Sequence, residues 1–393
     1  MSVPVLGPAD AVEVARTLGR ALADGDIDRD LHRSLPYDEV KGLAESGLLA
    51  LTVPAAFGGA DASVSTVTEV FRALAWGDPN VAQIPHSHVV FLNQLRLHGS
   101  PEHQQRIFGE VLAGSIVANA QSEFGSKHVR DIRTTLSPAG AGWLLNGEKF
   151  YATGSLFADY LAVLSRRETD GSLQVAWIRK DASGVEVVDD WDAVGQRTTG
   201  SGTVRLTDVV VGADWVTPFS VEFDRPTTYG AFAQVLHAAI DVGIARRALD
   251  EAGEFVRTTS RPYPDAGVER AAEDPVVVHA FGQLELAVRG SEALLRVAAE
   301  AVDAANRTLT EDTAAEASLA VAAARASSTA VSVDVASQLF QVAGTRAALA
   351  GLNLDRHWRN ARTHSLHDPA GWKVHHLGRW AADGIRPPRH GQI

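Results

Sequence analysis

Apolar positions along this chain recur first with helical spacing, then with strand spacing, then with helical spacing again. Between Ala11 and Ala23 they fall at Val12, Val14, Ala15, Leu18 and Leu22, and Tyr37 to Leu49 repeats the pattern. Pro54 to Gly59 is a turn-rich break. Val64 to Ala75 and Pro85 to Leu97 predict two more helices, the second with Pro in its first turn, and Ser100-Pro101 opens another that ends near Gly114. From about Ile116 the period shortens to two. Trp143-Leu144-Leu145, Asn146-Gly147 and Glu148 to Tyr151 predict a β-hairpin turning at Asn-Gly. Alternation returns in Leu173 to Ile178, Val185 to Val188 and Thr203 to Leu206. From Tyr229 onward long Ala-rich helices are predicted near 229–258, 275–306 and 312–342, with small residues that permit close helix packing. The pattern predicts an α+β, mostly α chain in three parts: a helical domain (1–115), a compact β domain (116–225) and a helical bundle (226–393).

Composition narrows the function classes. The chain has 393 residues, 45% hydrophobic and 21% charged, an ordinary balance for a folded protein with more than one packed layer. A formal charge of −12 argues against a nucleic-acid or anionic-membrane partner. Met1 to Asp30 lacks the basic-then-apolar pattern of a signal peptide, and a soluble cytoplasmic protein is expected. There is no Cys, and the only Met is Met1. Disulfides, thiolate nucleophiles and Cys-zinc sites are therefore excluded. Compositional drift explains part of this. Economy under sulfur limitation, or resistance to peroxides, would favour the same absence.

Candidate chemistry gathers near the end of the chain. Leu354 to Pro369 holds His357, His364 and His367 with Arg356, Arg359 and Arg362 in a helix-compatible run. His364 and His367 are three apart and would share a helix face, two groups titrating near neutrality against one space. A metal site is the competing reading of these and of His375-His376. It lacks Cys and a convincing carboxylate partner, and HxxH alone is weak, so no metal is expected. No P-loop or dinucleotide fingerprint is present: Gly58-Gly59 and Gly200-Ser201-Gly202 fall in loops.

Five stretches in order carry a resemblance over nearly the whole chain: Ala82 to His88, Ala118 to Glu123, Lys149 to Asp159, Trp191 to Gly202, and Gly344-Thr345-Arg346 through Pro369. Together they resemble the acyl-CoA dehydrogenase superfamily, in its branch of two-component flavin-dependent monooxygenases of the dibenzothiophene monooxygenase and sulfur-acquisition type. The resemblance implies an N-terminal helical domain, a β-barrel-like central domain, a C-terminal four-helix bundle and a homotetramer. It implies reduced FMN, rather than FAD, supplied by a separate NAD(P)H:flavin reductase. O2 would add to form a C4a-hydroperoxyflavin, and a small organic substrate would be oxygenated, with sulfur favoured over amine nitrogen.

The resemblance also carries roles for residues. Thr153 would stand beside flavin N5, with Asn119, Ser122 and Trp191 near the isoalloxazine. Taken alone, these residues read as turn polarity, loop polarity and a core Trp. Arg261 and Arg346 would meet flavin phosphate, where a planar fork of donors suits, although arginines of an acidic protein usually form surface ion pairs. His88 would face substrate, His86 less so, although a lone His on an apolar helix is more often a satisfied core residue. His367 is expected to be the acid–base group and His364 to position flavin or substrate. Acyl-CoA dehydrogenases proper commonly place a catalytic Glu in this terminal region, and Asn360 to Pro369 contains none. An FAD-dependent acyl-CoA dehydrogenase or oxidase, a flavin-dependent N-hydroxylase and a non-enzymatic DNA-protecting protein are the alternatives.

Overall fold

The computed structural model describes residues 2–128 and 131–393. The N-terminal part is a helical layer: α1 (Pro8–Ala23), α2 (Asp26–His32), α3 (Tyr37–Glu45), α4 (Val64–Gly77), α5 (Pro79–Gln83), α6 (His86–His98) and α7 (Pro101–Leu112). Ser63 and Ser100 cap α4 and α7 by accepting from Thr66 N and His103 N. The start of α4 is also held from afar: Asp303 accepts from Val64 N and Ser65 N at 2.7 and 3.0 Å, satisfying donors the helix cannot pair itself.

Eight strands follow: β1 (Val117–Ala120), β2 (Thr135–Ala139), β3 (Gly142–Lys149), β4 (Tyr160–Arg167), β5 (Leu173–Arg179), β6 (Val185–Val187), β7 (Val204–Gly212) and β8 (Val216–Pro218). They form one sheet in the order β6-β7-β3-β2-β4-β5-β8, with β1 added in parallel to β4. The predicted hairpin is corrected here. Asn146-Gly147 lies inside β3 as a bulge against β7, and the chain turns at Gly140 between β2 and β3. Two local contacts hold the bulge. The Asn146 side chain bonds both the amide and the carboxylate of Asp208, and a Cβ on Gly147 would lie 2.5 Å from Thr134 Oγ1.

The last part is helical: α8 (Tyr229–Thr258), α9 (Pro275–Arg307), α10 (Glu311–Ala343), α11 (Arg356–His364) and α12 (Ala370–Asp383). Helix α10 packs on α8, α9, α11 and α12. It is long and apolar enough to cross a membrane, yet its Ala317, Val321, Ala324, Val335 and Leu339 fill the centre of this bundle. Helix α8 also packs on α4, at a distance set by small residues: a Cβ on Gly243 would lie 2.6 Å from the Ala75 Cβ. One apolar core runs from α1 and α4 through the sheet into α8, α9 and α10.

His103 of α7 is 4% exposed, edge-on to Trp177, and neither ring nitrogen has a hydrogen-bond partner among the described residues. Burial, reinforced by Arg106, lowers its pKa from 6.5 to about 4. The unfolded chain would take up a proton near 6.5 while the folded ring resists. Stability is therefore complete above 6.5 and falls as pH drops from 6.5 to 4, by up to about 1.4 kcal/mol per unit for this group. His103→Phe should retain the packing and shrink the stability difference between pH 7 and pH 5, measured by urea unfolding. An unchanged difference would assign the acid sensitivity elsewhere.

Candidate active site

One level of the bundle's interior gathers a buried Asp, a buried Arg and several histidines. Along α8 the sequence Leu236-His237-Ala238-Ala239-Ile240-Asp241 puts His237 and Asp241 one turn apart on the same face. Asp241 is fully buried and accepts from His364 Nδ1 at 2.6 Å, Thr329 Oγ1 at 3.1 Å and Ser328 Oγ at 3.2 Å, and it pairs with the Arg325 guanidinium. Burial alone would raise this carboxyl, but Arg325 and His364 more than reverse that and hold it below the ordinary carboxylate range. Arg325 also faces Asp368, which pairs with Lys373 of α12.

A carboxylate and a main-chain carbonyl can only accept, so they fix where the imidazole protons sit. In its neutral form His364 carries its proton on Nδ1, toward Asp241. Its Nε2 lies 3.0 Å from Nδ1 of His237 and accepts from it. His367 stands just beyond the end of α11, with Nδ1 donating to His364 O at 2.8 Å and Nε2 left as an acceptor, 3.3 Å from Gln83 Nε2. His86 donates from Nε2 to Ala233 O at 2.9 Å and stacks on His237 with ring centroids 3.9 Å apart. Burial lowers the pKa of His86 to about 4 and drives that of His237 far down, with neighbouring imidazoles and Arg325 adding to the effect. His367 is lowered by the same causes. The residue is nonetheless solvent-exposed, which relieves part of that cost. His86, His237 and His367 are thereby held as neutral imidazoles.

The β domain reaches this group through α5 and α6. Thr153 is 6% exposed and shares a hydroxyl chain with Ser201 (2.8 Å) and Thr199 (2.6 Å from Ser201). The next residue, Gly154, has φ +82°, and a Cβ there would approach Ile84 O, between Gln83 and His86. Tyr151 adopts φ +59°, a strained value for an aromatic residue, with its carbonyl accepting from Asn119 Nδ2 and Thr153 N. Trp191 meets Tyr151 edge-on at 6.0 Å and donates to Gln196 O at 2.8 Å. Ser122 lies beside them, its carbonyl accepting from Phe150 N. Asn119, Ser122, Thr153 and Trp191 are thus gathered around the segment from Phe150 to Thr153. Three buried polar atoms nearby, Gln83 Oε1, Gln196 Nε2 and Thr198 Oγ1, have no partner among the described residues. A heterocycle with donors and acceptors along its edge fits such a wall.

Other expected residues have different surroundings. His88 is fully buried, donating from Nε2 to Leu49 O and accepting on Nδ1 from Val117 N, so both ring nitrogens are committed to main chain. It pins α6 to β1, and His86 is the histidine of that pair that joins the cluster. Arg261 and Arg346 are exposed and lie on adjoining segments, Arg346 donating to Thr259 O. Two of the three arginines between Leu354 and Pro369 are clamps. Arg356 binds Asp26 and Glu251, and Arg359 binds Asp30 and Asp355. His237, Asp241 and Gln83 were missed. The one signal for the first two was a His and an Asp at helical spacing in an otherwise apolar run.

A helical layer, a sheet and a helical bundle meeting at one polar centre define the class. The acyl-CoA dehydrogenase N-terminal, middle and C-terminal domains match residues 12–115, 117–209 and 235–370, and the chain belongs to this family. Within it, the chain is 33% identical to dibenzothiophene monooxygenase of Mycolicibacterium goodii, over 96% of this chain and 95% of that one. It is 32% identical to the probable FMNH2-dependent monooxygenase SfnC of Pseudomonas putida, over 98% of each. FMN-bound TdsC of Paenibacillus sp. A11-2 superposes with a TM-score of 0.93 at 31% identity, covering 98% of this chain and 100% of that one.

The loop carrying Trp191 is locked to the histidine helix. Asn360 Oδ1 accepts from Gln196 N at 2.6 Å, and a Cβ on Gly195 would fall 1.9 Å from Arg359 O. Gly195→Ala should therefore cost about 1–3 kcal/mol, read by urea unfolding. Unchanged stability would mean that the loop retreats freely from α11.

Proposed function

We propose that this protein is a two-component monooxygenase that uses reduced FMN and O2 to oxygenate a small organic substrate, with sulfur as the acceptor atom. The observation that carries the reading is the absence of a free base of the dehydrogenase kind. Among the described residues of the cluster, the carboxylates are Asp241 and Asp368, and each is already paired with a buried cation. What the exposed His367 offers is a neutral imidazole, which suits proton management around an oxygen-activating cofactor better than abstraction of a carbon-bound proton. The names of the relatives support the same reading, since they specify FMNH2 dependence and dibenzothiophene as a substrate.

Bound reduced FMN supplies activation of O2 for transfer of one oxygen atom to the substrate. The chain's own residues bind, orient and exclude water. Asn119, Ser122, Thr153 and Trp191 would hold the isoalloxazine, and the Thr153 hydroxyl, now bonded to Ser201, would offer N5 a hydrogen-bond partner. His367 Nε2 accepts or returns the proton, and His364 positions it by accepting from its Nδ1–H on the main chain. His237 positions His364 from the other side. Reduced FMN comes from a separate NAD(P)H:flavin reductase, and the charge of −12 suits the cytoplasm. Exposed apolar residues along α9 (Val276, Val278, Leu286, Val297) and α12 (Trp372, Trp380) support a homotetramer, in which Arg261 and Arg346 reach flavin phosphate across an interface.

Turnover should require both O2 and reduced FMN, tested first with thioethers, sulfoxides and sulfinates, then with amines. Product formed without either would sink the proposal, and bleaching of oxidised flavin by an acyl-CoA would favour a dehydrogenase. His367→Ala should fold normally, lower product formation about a hundredfold or more and divert reduced flavin to H2O2. Unchanged coupling would remove His367 from the mechanism. Light scattering should give four chains per particle, and a monomer would place Arg261 and Arg346 outside any flavin site.

A further inference from the structure

The imidazole cluster has a second use that proton handling does not require. One ring nitrogen from each of His237, His364 and His367 lies within 4.8 Å of the other two. Nitrogens bound to one tetrahedral zinc ion at 2.0–2.1 Å stand about 3.3 Å apart. The His237 Nδ1 to His364 Nε2 distance, 3.0 Å, is already close to that. His367 has the remaining distance to cover. It is the exposed member, held on the turn after α11 rather than within the helix, so it has freedom to swing inward.

The surroundings match what a metal-binding histidine needs behind it. A ligating imidazole normally donates its other N–H to a carboxylate or a main-chain carbonyl, which fixes the ring and leaves the lone pair for the ion. His364 donates from Nδ1 to Asp241, and His367 donates from Nδ1 to His364 O. The carboxylate that the sequence did not reveal is thus present, one shell behind the ligands. Asp241 and Asp368 balance Arg325 and Lys373, so the nearby fixed charges sum to zero and do not oppose a cation outright.

We propose that His237, His364 and His367 form a binding site for one divalent transition-metal ion of the imidazole-preferring class, zinc first. All three ligands are nitrogen, which favours Zn2+, Cu2+ or Ni2+ over Mg2+ or Ca2+. Binding breaks the His237 to His364 hydrogen bond. The His237 proton moves from Nδ1 to Nε2, both facing lone pairs go to the ion, and no proton is released. Water completes the coordination. The ion occupies the lone pairs assigned above to proton handling, so it acts as a reversible inhibitor. That last consequence rests on the proposed monooxygenase activity, whereas binding itself does not.

The test uses the full-length protein, stripped with EDTA and free of flavin, titrated with ZnCl2 by calorimetry. One ion per chain is expected, with Mg2+ giving no heat. His237→Gln and His367→Gln should each weaken binding at least tenfold, and Asp241→Asn should weaken it about 10- to 100-fold. His367→Gln changes an exposed residue and keeps the test readable if His237→Gln fails to fold. The double variant His375→Gln, His376→Gln should bind zinc like the parent. Stoichiometric binding lost in that double variant would move the site to the surface and overturn the proposal, as would absence of binding. In a separate arm, zinc should arrest oxygen-dependent turnover and EDTA should restore it. If zinc binds but no turnover exists, the metal site stands and the monooxygenase reading falls.

Discussion

The buried Asp241 carboxylate is the constraint from which the rest of the site follows. A charge with no solvent exposure is costly unless every lone pair is used, and here one Arg, one His and two hydroxyls use them. Those partners come from α10 and α11, while Asp241 itself comes from α8. A single side chain therefore fixes three helices relative to one another and dictates the orientation of the His364 ring. His237 and His367 take their own orientations from His364, one through its Nε2 and one through its carbonyl. Removing the carboxylate would leave Arg325, among carboxylates, only the longer contact with Asp368 and free the His364 ring from which His237 takes its orientation, which makes the centre cooperative rather than a sum of contacts.

Around this centre, the domains are joined by charges of a different kind. Arg356 and Arg359 extend from the histidine helix to Asp26 and Asp30 of α2, and Arg29 of α2 extends in turn to Asp78, the cap of α5. Helix α5 carries Gln83, which touches His367. The same short terminal segment thus supplies His364 and His367 to the cluster, and Arg356, His357 and Arg359 to ion pairs with α2 and Glu251. Its density of basic residues reflects two duties.

This division explains how much was legible beforehand. The long helices from 229 to 343 and the change to strands near 116 were readable because their apolar periods are strong and uninterrupted. Asn146-Gly147 misled because a residue pair with the right turn chemistry is also right for a bulge, and cross-strand contacts with Thr134 and Asp208 decide between them. His86 and His88 are two apart on one helix, so spacing gave no reason to prefer either. The choice is made by Ala233, Leu49 and Val117, which are remote in sequence. The family's motifs located the terminal histidines, but the partners that give them function are on α8. A polar pair inside a buried helix has no local signature beyond its incongruity.

Gly195 presses directly on the main chain of α11, and Gln196 binds to Asn360 through its backbone amide. On the loop's side, this junction is therefore made by backbone atoms rather than by side chains. Outward-facing side chains of the 191–202 loop are free to diverge while the spacing between loop and helix stays the same. A substitution at an exposed position of this loop can thus leave the rings behind the helix where they are.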